Sequence, residues 1–187
     1  MNTPLRIAVA GRGTGGAAVV DILVSKSELL SARFGRDVTL AAVSARDKSR
    51  DRGVDLSGVA WFDDAAEMAT AADADVIVEL IGGEDGIAMA VCENAFASGR
   101  HVVTANKALL ALHGTALANA ADRAGVALGY EASVAGGIPV IKALREGFAG
   151  NQITGIHGIL NGTCNYCLLY TSPSPRDRTR SRMPSSA

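Results

Sequence analysis

Short apolar runs rich in Val and Ile alternate with longer Ala-rich stretches from residue 5 onward. The runs Leu5–Ala10, Val38–Val43, Val76–Leu80, His101–Thr104 and Val126–Tyr130 are short and mostly apolar, the pattern of strands buried on both faces. Between them Thr14–Leu30, Asp63–Ala72, Asp85–Ala97 and Ala108–Arg123 predict helices. Asp63 or Asp64 is the N-cap of the second, and Asp64 with Glu67 has capping-box spacing. Gly99 and Gly125 fall just past the third and fourth, where a left-handed residue ends a helix. This repeated strand–helix order predicts an α/β fold, a doubly wound parallel sheet with right-handed crossovers over residues 1–134. Ligand then belongs outside the carboxyl ends of the strands. A second unit, the start of an α+β domain over 135–166, opens near Ala135 with a helix over Pro139–Phe148 and a strand over Ile153–Ile159.

The pattern stops after Tyr166. Cys167–Asp177 reads Cys-Leu-Leu-Tyr-Thr-Ser-Pro-Ser-Pro-Arg-Asp, and Ser/Arg/Pro-rich residues without apolar periodicity follow. A disordered basic tail is one reading; the other is that the string resembles a translated sequencing adapter. On either, 167–187 adds nothing to the predicted fold. Cys164-Asn-Tyr-Cys167 is then not read as a redox pair, since its second cysteine lies in the tail.

Composition sharpens the picture. With 48% hydrophobic and 20% charged residues the chain is globular. Its 21 glycines and 4% aromatics suit small residues at helix–sheet contacts and several tight turns. With the tail's four Arg and one Asp set aside, 14 basic and 18 acidic residues remain, a net charge of −4. That balance argues against nucleic acid or a membrane surface as partner. No apolar run reaches the roughly 20 residues needed to span a bilayer, and no secretory segment precedes the first strand. Cys92, Cys164 and Cys167 form no disulfide framework, so a cytoplasmic location is expected.

Four constellations carry candidate chemistry. Gly11-Arg-Gly-Thr-Gly-Gly16 fits GxGxxG between a predicted strand and helix, the context that separates a diphosphate cradle from a structural glycine turn. Gly11 would make the turn, Gly13 admit a pyrophosphate to the backbone and Gly16 let helix meet strand. At the end of the second strand Arg46 precedes any acid and Lys48 follows, which suits the 2′-phosphate of NADP(H) over NAD(H). An ordinary solvated loop is the alternative there. Asn106 is a candidate N-cap that puts Lys107 in the first helical turn, where the dipole disfavours a cation. An anionic or carbonyl-bearing ligand accounts for Lys107 better than solvent does. Lastly, Glu131 with the carbonyls of Val134, Gly136 and Ile138 could surround a hard cation, although the same residues also describe a plain strand-to-helix turn. His101, His113 and His157 share no ligand spacing and no carboxylate partner is visible for them. Cys92 and Trp61 read as packing residues.

Taken together, the chain resembles homoserine dehydrogenase. The matching stretches are Gly11–Gly16, Val78-Glu-Leu-Ile-Gly-Gly83, Val102–Lys107, Tyr130–Pro139 and Gly158–Tyr166, in the family's order. Asn161-Gly-Thr-Cys-Asn-Tyr166 and Glu131-Ala-Ser-Val-Ala-Gly-Gly-Ile-Pro139 are far more specific than a glycine pattern. The resemblance implies a Rossmann-type domain and an NAD(P)-dependent oxidoreductase that interconverts L-homoserine and L-aspartate 4-semialdehyde in threonine, methionine and isoleucine biosynthesis. The expected cofactor-binding set is Gly11, Gly13, Thr14, Gly15, Gly16, Arg46, Lys48, Gly82, Thr104, Lys107 and Gly162; the resemblance implies that Lys107 lies beside nicotinamide and substrate and that Gly162 forms part of the floor shared by the two. It implies a sodium ion held by Glu131, Val134, Gly136 and Ile138, and a homodimeric parent enzyme. Gly15 stands where the family often has Val. In the family, the acidic residues that bind substrate and the proton-donating lysine follow the Asn-Gly-Thr-Cys-Asn-Tyr string, where this chain departs from the pattern. Hydride transfer needs a proton donor within reach of the forming alkoxide, and Lys107 is the one candidate visible. The 187-residue chain is therefore expected to be an inactive or nearly inactive fragment, with apolar surface exposed where the second domain is incomplete. The alternative from another class is a non-catalytic NAD(P)H-binding sensor module.

Overall fold

Side chains alternate across a strand, so a sheet with helices on both faces needs apolar residues at successive positions. That is the arrangement in the computed structural model, which describes residues 3–47 and 53–157. Contacts divide the chain into two units, Met1–Val134 and Ala135–Ala187. The first contains β1 (Leu5–Ala10), α1 (Thr14–Ser25), α2 (Ser27–Phe34), β2 (Val38–Ser44), β3 (Ala60–Phe62), α3 (Ala65–Ala71), β4 (Val76–Glu79), α4 (Ile87–Ala97), β5 (His101–Thr104), α5 (Lys107–Ala124) and β6 (Leu128–Gly129). Every strand pairing is parallel, in the order β3-β2-β1-β4-β5-β6. Winding reverses between β1 and β4, which opens a crevice at their carboxyl ends. The chain has the Rossmann-type α/β fold expected of it.

Two cores follow from the alternation. Ala8, Ala10, Ala42, Ile77 and Val102 face one way, against Met68, Val91, Phe96, Leu109 and Leu117 of the helices on that side. Val9, Val38 and Val43 face the other way, against Val20 and Leu23 of α1. Met68, Ile77, Leu109 and Leu117 are fully buried, each worth about 1.5–3 kcal/mol relative to exposure. Among the described residues no helix is long and apolar enough to cross a membrane.

Helix ends follow their caps. Asp64 accepts hydrogen bonds from the N–H groups of Ala66 and Glu67, and Asn106 accepts one from Leu109. Gly99 and Gly125 adopt positive φ at the ends of α4 and α5.

Several elements differ from expectation. The helix predicted over Thr14–Leu30 breaks at Lys26, whose φ of −117° and ψ of 21° leave the helical region. Lys26 lies between Ser25 and Ser27, whose hydroxyls compete for backbone partners and weaken a helix interior. β3 was not foreseen: three residues are too few to show a period, and β3 forms because Ala60, Trp61 and Phe62 find a ladder beside Ala42, Val43 and Ser44. In the second unit, the helix expected over Pro139–Phe148 is α-helical only at α6 (Val140–Lys142) and then widens into a π turn over Ala143–Gly147. None of its residues is buried, so no packed face holds it to regular geometry. The strand expected over Ile153–Ile159 is absent from its described part, 153–157, where no described residue supplies a ladder partner.

At the amino edge of the sheet, Asp75 accepts hydrogen bonds from the Arg6 backbone N–H (2.8 Å) and guanidinium (2.9 Å). Arg6 also reaches Asp73. The Arg6 side chain holds the Asp75 carboxyl below its ordinary range, against a partial burial that raises it. The stabilisation is present above the unfolded carboxyl's pKa, near 3.9, and is lost as pH falls through the lower folded value. Asp75→Asn should lower the melting temperature at pH 7 by a few degrees and flatten the acid limb of its pH dependence. An unchanged acid limb would refute the assignment.

Candidate functional site at the carboxyl edge of the sheet

The loop after β1 turns on glycines where no side chain would fit. Gly11 has φ +95°, and a Cβ there would stand 2.7 Å from the Leu80 carbonyl oxygen. Gly16 is buried, and a Cβ on it would stand 2.8 Å from the Gly11 carbonyl carbon and closer still to its oxygen. Gly13 differs. It is the N-cap of α1, is exposed, and a Cβ there would meet nothing within 4 Å. Thr14 and Gly15 are exposed beside it. The N-cap residue of α1 is a glycine and brings no side chain to the first-turn N–H groups, at the positive end of the helix dipole. This is an anion cradle open on the ligand side and closed on the protein side, and it fits a dinucleotide diphosphate.

The loop opens on a cleft of about 780 Å³, walled by Gly11, Arg12 and Gly13, by Ser44–Asp47 after β2, by Asp63–Ala65, and by Leu80, Ile81 and Ile87. The wall carries the carboxylates of Asp47, Asp63 and Asp64. Asp64 caps α3, and Asp63 accepts from the Trp61 indole N–H at 2.8 Å. Arg46 stands at the end of β2 in this wall, while Lys48 lies outside the described residues. Arg12, buried and 6.0 Å from the centre of the Trp61 ring, adds a second cation that sequence reasoning missed. Nothing in the spacing connects residues 12 and 61; only the pairing of β2 with β3 does. Trp61 therefore packs, as expected, and also lines Arg12. A hollow of about 520 Å³ between the far ends of α4 and α5 lies away from the strands' carboxyl ends.

Beyond the switch point, β4 and β5 end side by side, with Glu79 opposite Thr104. Glu79 is fully buried. One carboxylate oxygen accepts from the N–H groups of Ile81 (2.7 Å) and Gly82 (3.3 Å), the other from the Thr104 hydroxyl (2.6 Å). Thr104 is also fully buried, and its hydroxyl accepts from the Asn106 N–H at 3.0 Å. Asn106 donates to the Gly83 carbonyl at 2.6 Å. Gly82 turns with φ +82° and has open space about it. Lys107 is exposed at the start of α5. In the sequence Glu79 stands out only as one residue of the Val78–Gly83 stretch; the signal that marks it is a carboxylate ending an otherwise apolar strand.

Cys92 is a core residue: burial, then the negative charge of Glu79 and of Glu93, pushes its thiol up to about 12, so it is no nucleophile. His101 accepts from the Ala127 N–H through Nδ1 at 2.9 Å, a structural contact. His113, for which no carboxylate was visible in the sequence, pairs with Asp85 at 2.7 Å, because α5 runs past the loop that precedes α4. That expectation is corrected: the two residues are 28 apart in the chain, beyond any local pattern.

Glu131 begins a 3-10 turn, Glu131–Ser133, and Val134 follows it at the end of the first unit. Ser133 anchors that turn by donating to the Thr104 carbonyl at 2.7 Å. Gly136 and Ile138 belong to the second unit, where the Ile138 N–H donates to the Ala135 carbonyl. Among the described residues no group of three or more His, Cys, Asp or Glu side chains gathers. Gly162 and the rest of Asn161–Tyr166 lie outside the described residues, as do Cys164 and Cys167.

Comparison with known proteins follows the same path along the chain. Residues 11–131 match the family model described as homoserine dehydrogenase, NAD binding domain, and residues 139–177 match the model described as homoserine dehydrogenase. A homoserine dehydrogenase of Neisseria gonorrhoeae is 42% identical over 165 residues, 88% of this chain and 38% of the relative. One of Bacillus subtilis is 37% identical over 164 residues, covering the same shares. The crystal structure of a homoserine dehydrogenase from Thiobacillus denitrificans superposes with a TM-score of 0.74 at 36% identity, over 89% of this chain and 38% of that one. The chain thus spans well under half the length of these relatives. Because the NAD-binding match alone takes in more than half of its residues, and takes in the glycine cradle with both walls of the cleft, this chain belongs to the homoserine dehydrogenase family.

Proposed function

We propose that this chain carries the cofactor-binding half of an enzyme that interconverts L-homoserine and L-aspartate 4-semialdehyde, with NADP(H) preferred to NAD(H). The observation that carries this reading is the glycine-capped N-terminus of α1, open at the sheet's switch point onto a cleft that also holds Arg46. When bound, the nicotinamide supplies or accepts the hydride exchanged with the substrate carbon. The protein's own part is binding and orientation. Gly11, Gly13, Thr14, Gly15 and Gly16 hold the diphosphate, and Arg46 with Lys48 holds the 2′-phosphate. Gly82, Thr104 and Lys107 form the nicotinamide side; Thr104 contributes through its bonds to neighbours, since its side chain is buried. The Lys107 ammonium stabilises charge developing on the substrate oxygen. Glu131 and the carbonyls of Val134, Gly136 and Ile138 hold a sodium ion. The parent enzyme is a homodimer. The 187-residue chain by itself binds cofactor without turnover at a family rate.

Titration of the purified chain with NADPH and with NADH, followed by nicotinamide fluorescence, tests this. NADPH should bind at least about tenfold more tightly, one charge-assisted hydrogen bond being worth roughly 1.5–3 kcal/mol. Arg46→Ala should remove about that factor for NADPH and leave NADH within about twofold. Binding of neither nucleotide would defeat the cofactor reading; equal affinities would defeat only the NADP(H) preference.

A further inference from the structure

We propose that Glu79 is a positioning residue for the nicotinamide half of the cofactor: its carboxylate ties the turn after β4 to the start of α5, so that two loops present one preformed surface beside Lys107. This deepens the proposed function and rests on it.

The position itself calls for an apolar residue. Glu79 is fully buried at the end of Val-Ile-Val-Glu, and an aliphatic side chain there would avoid the desolvation that a carboxylate incurs. What the carboxylate adds is a closed ring of bonds. It accepts from Ile81 and Gly82 on its own loop and from the Thr104 hydroxyl on the next strand. Thr104 accepts from the Asn106 N–H, and Asn106 caps α5 at Leu109 and returns to the first loop at the Gly83 carbonyl. The Glu79 carbonyl accepts from the Ala105 N–H at 3.3 Å, a further tie between the same segments. All these partners sit in the two loops or the adjoining ends of β5 and α5. The ring therefore shapes the carboxyl edge and leaves the remainder of the core to apolar packing.

What it shapes is a surface for something to lie against. Gly82 and Gly83 have φ of +82° and +93°, and a Cβ on Gly82 would meet nothing within 4 Å. A glycine turn held rigid from behind and open in front is suited to close approach of a planar ligand. A dinucleotide spans the switch point of a doubly wound sheet. Its diphosphate belongs to α1 and its adenosine to the β2 side, which leaves the ends of β4 and β5 to nicotinamide. Because both carboxylate oxygens accept, glutamine cannot reproduce the ring: its amide nitrogen would meet either two backbone donors or a hydroxyl whose bond must reverse.

The test compares Glu79→Gln with wild type against two probes, NADPH and adenosine 2′,5′-bisphosphate, which lacks nicotinamide. Melting curves are recorded alongside. Positioning predicts NADPH affinity reduced about tenfold, with a weaker rise in nicotinamide fluorescence, and bisphosphate affinity within about twofold. A merely structural role predicts equal loss of both probes, or a lower melting temperature with no change in either affinity; each result overturns the proposal. Should Glu79→Gln fail to fold, Asn106→Ala cuts the ring at Gly83 and must show the same split, and an equal loss there overturns it too. Wild-type protein that binds the bisphosphate but not NADPH also defeats it. Wild-type protein that binds neither probe defeats the cofactor reading itself.

Discussion

Replacing Gly16 by alanine should destabilise the first unit by about 3 kcal/mol or more and abolish NADPH binding with it. A methyl group at this position points into the Gly11 carbonyl, with the carbonyl carbon at 2.8 Å and the oxygen nearer. Overpacking is usually relieved by rotation of a neighbouring side chain. Here the obstacle is backbone, and that backbone is pinned: the Gly11 N–H donates to the Ser44 carbonyl at 2.9 Å, and Gly11 itself packs on the Leu80 carbonyl. Relief therefore requires α1 to move away from β1. That movement strips contacts from Val20 and Leu23, which with Val9, Val38 and Val43 make up the buried core of that face. Thermal unfolding followed by circular dichroism would read the loss. A melting temperature within a degree of wild type would mean that α1 does not approach β1 this closely in solution.

Gly13→Ala should do the reverse, leaving the fold intact and removing the function. Its φ of −64° and ψ of −167° are open to any L-residue, and an added Cβ meets no protein atom within 4 Å. The melting temperature should stay within a degree or two. The methyl group nevertheless projects from the N-cap of α1, where the diphosphate must approach the backbone. A steric cost of about 1–3 kcal/mol there corresponds to a loss of roughly 5- to 150-fold in NADPH affinity. Unchanged affinity would show that the diphosphate lies elsewhere. Paired with Gly16→Ala, this variant separates the two reasons for which glycine occurs in one six-residue loop.

The two glycines also mark how far the sequence could be read. Their roles were assigned from spacing and from a strand before and a helix after. The close contact at Gly16 agrees with that assignment, while the free space at Gly13 leaves its ligand role to experiment. β1 and β5 have the bounds predicted for them, Leu5–Ala10 and His101–Thr104, each a short and mostly apolar run. Asp64 and Asn106 cap the helices they were expected to cap, because a cap bonds within three residues of itself and needs no tertiary partner.

What the sequence by itself determined is therefore local or repetitive: the alternation that makes a parallel sheet, the caps, the glycine cradle, and motifs specific enough to name the family. Only the tertiary structure decided which distant residues share a surface. Glu79 meets Thr104 across 25 residues because β4 and β5 lie in register, and Arg12 meets Trp61 because β3 adds to β2. His113 meets Asp85 because α5 passes the loop before α4. Such pairs leave no period and no fixed spacing in the chain; their geometry is set by sheet order and register, which are properties of the packed whole.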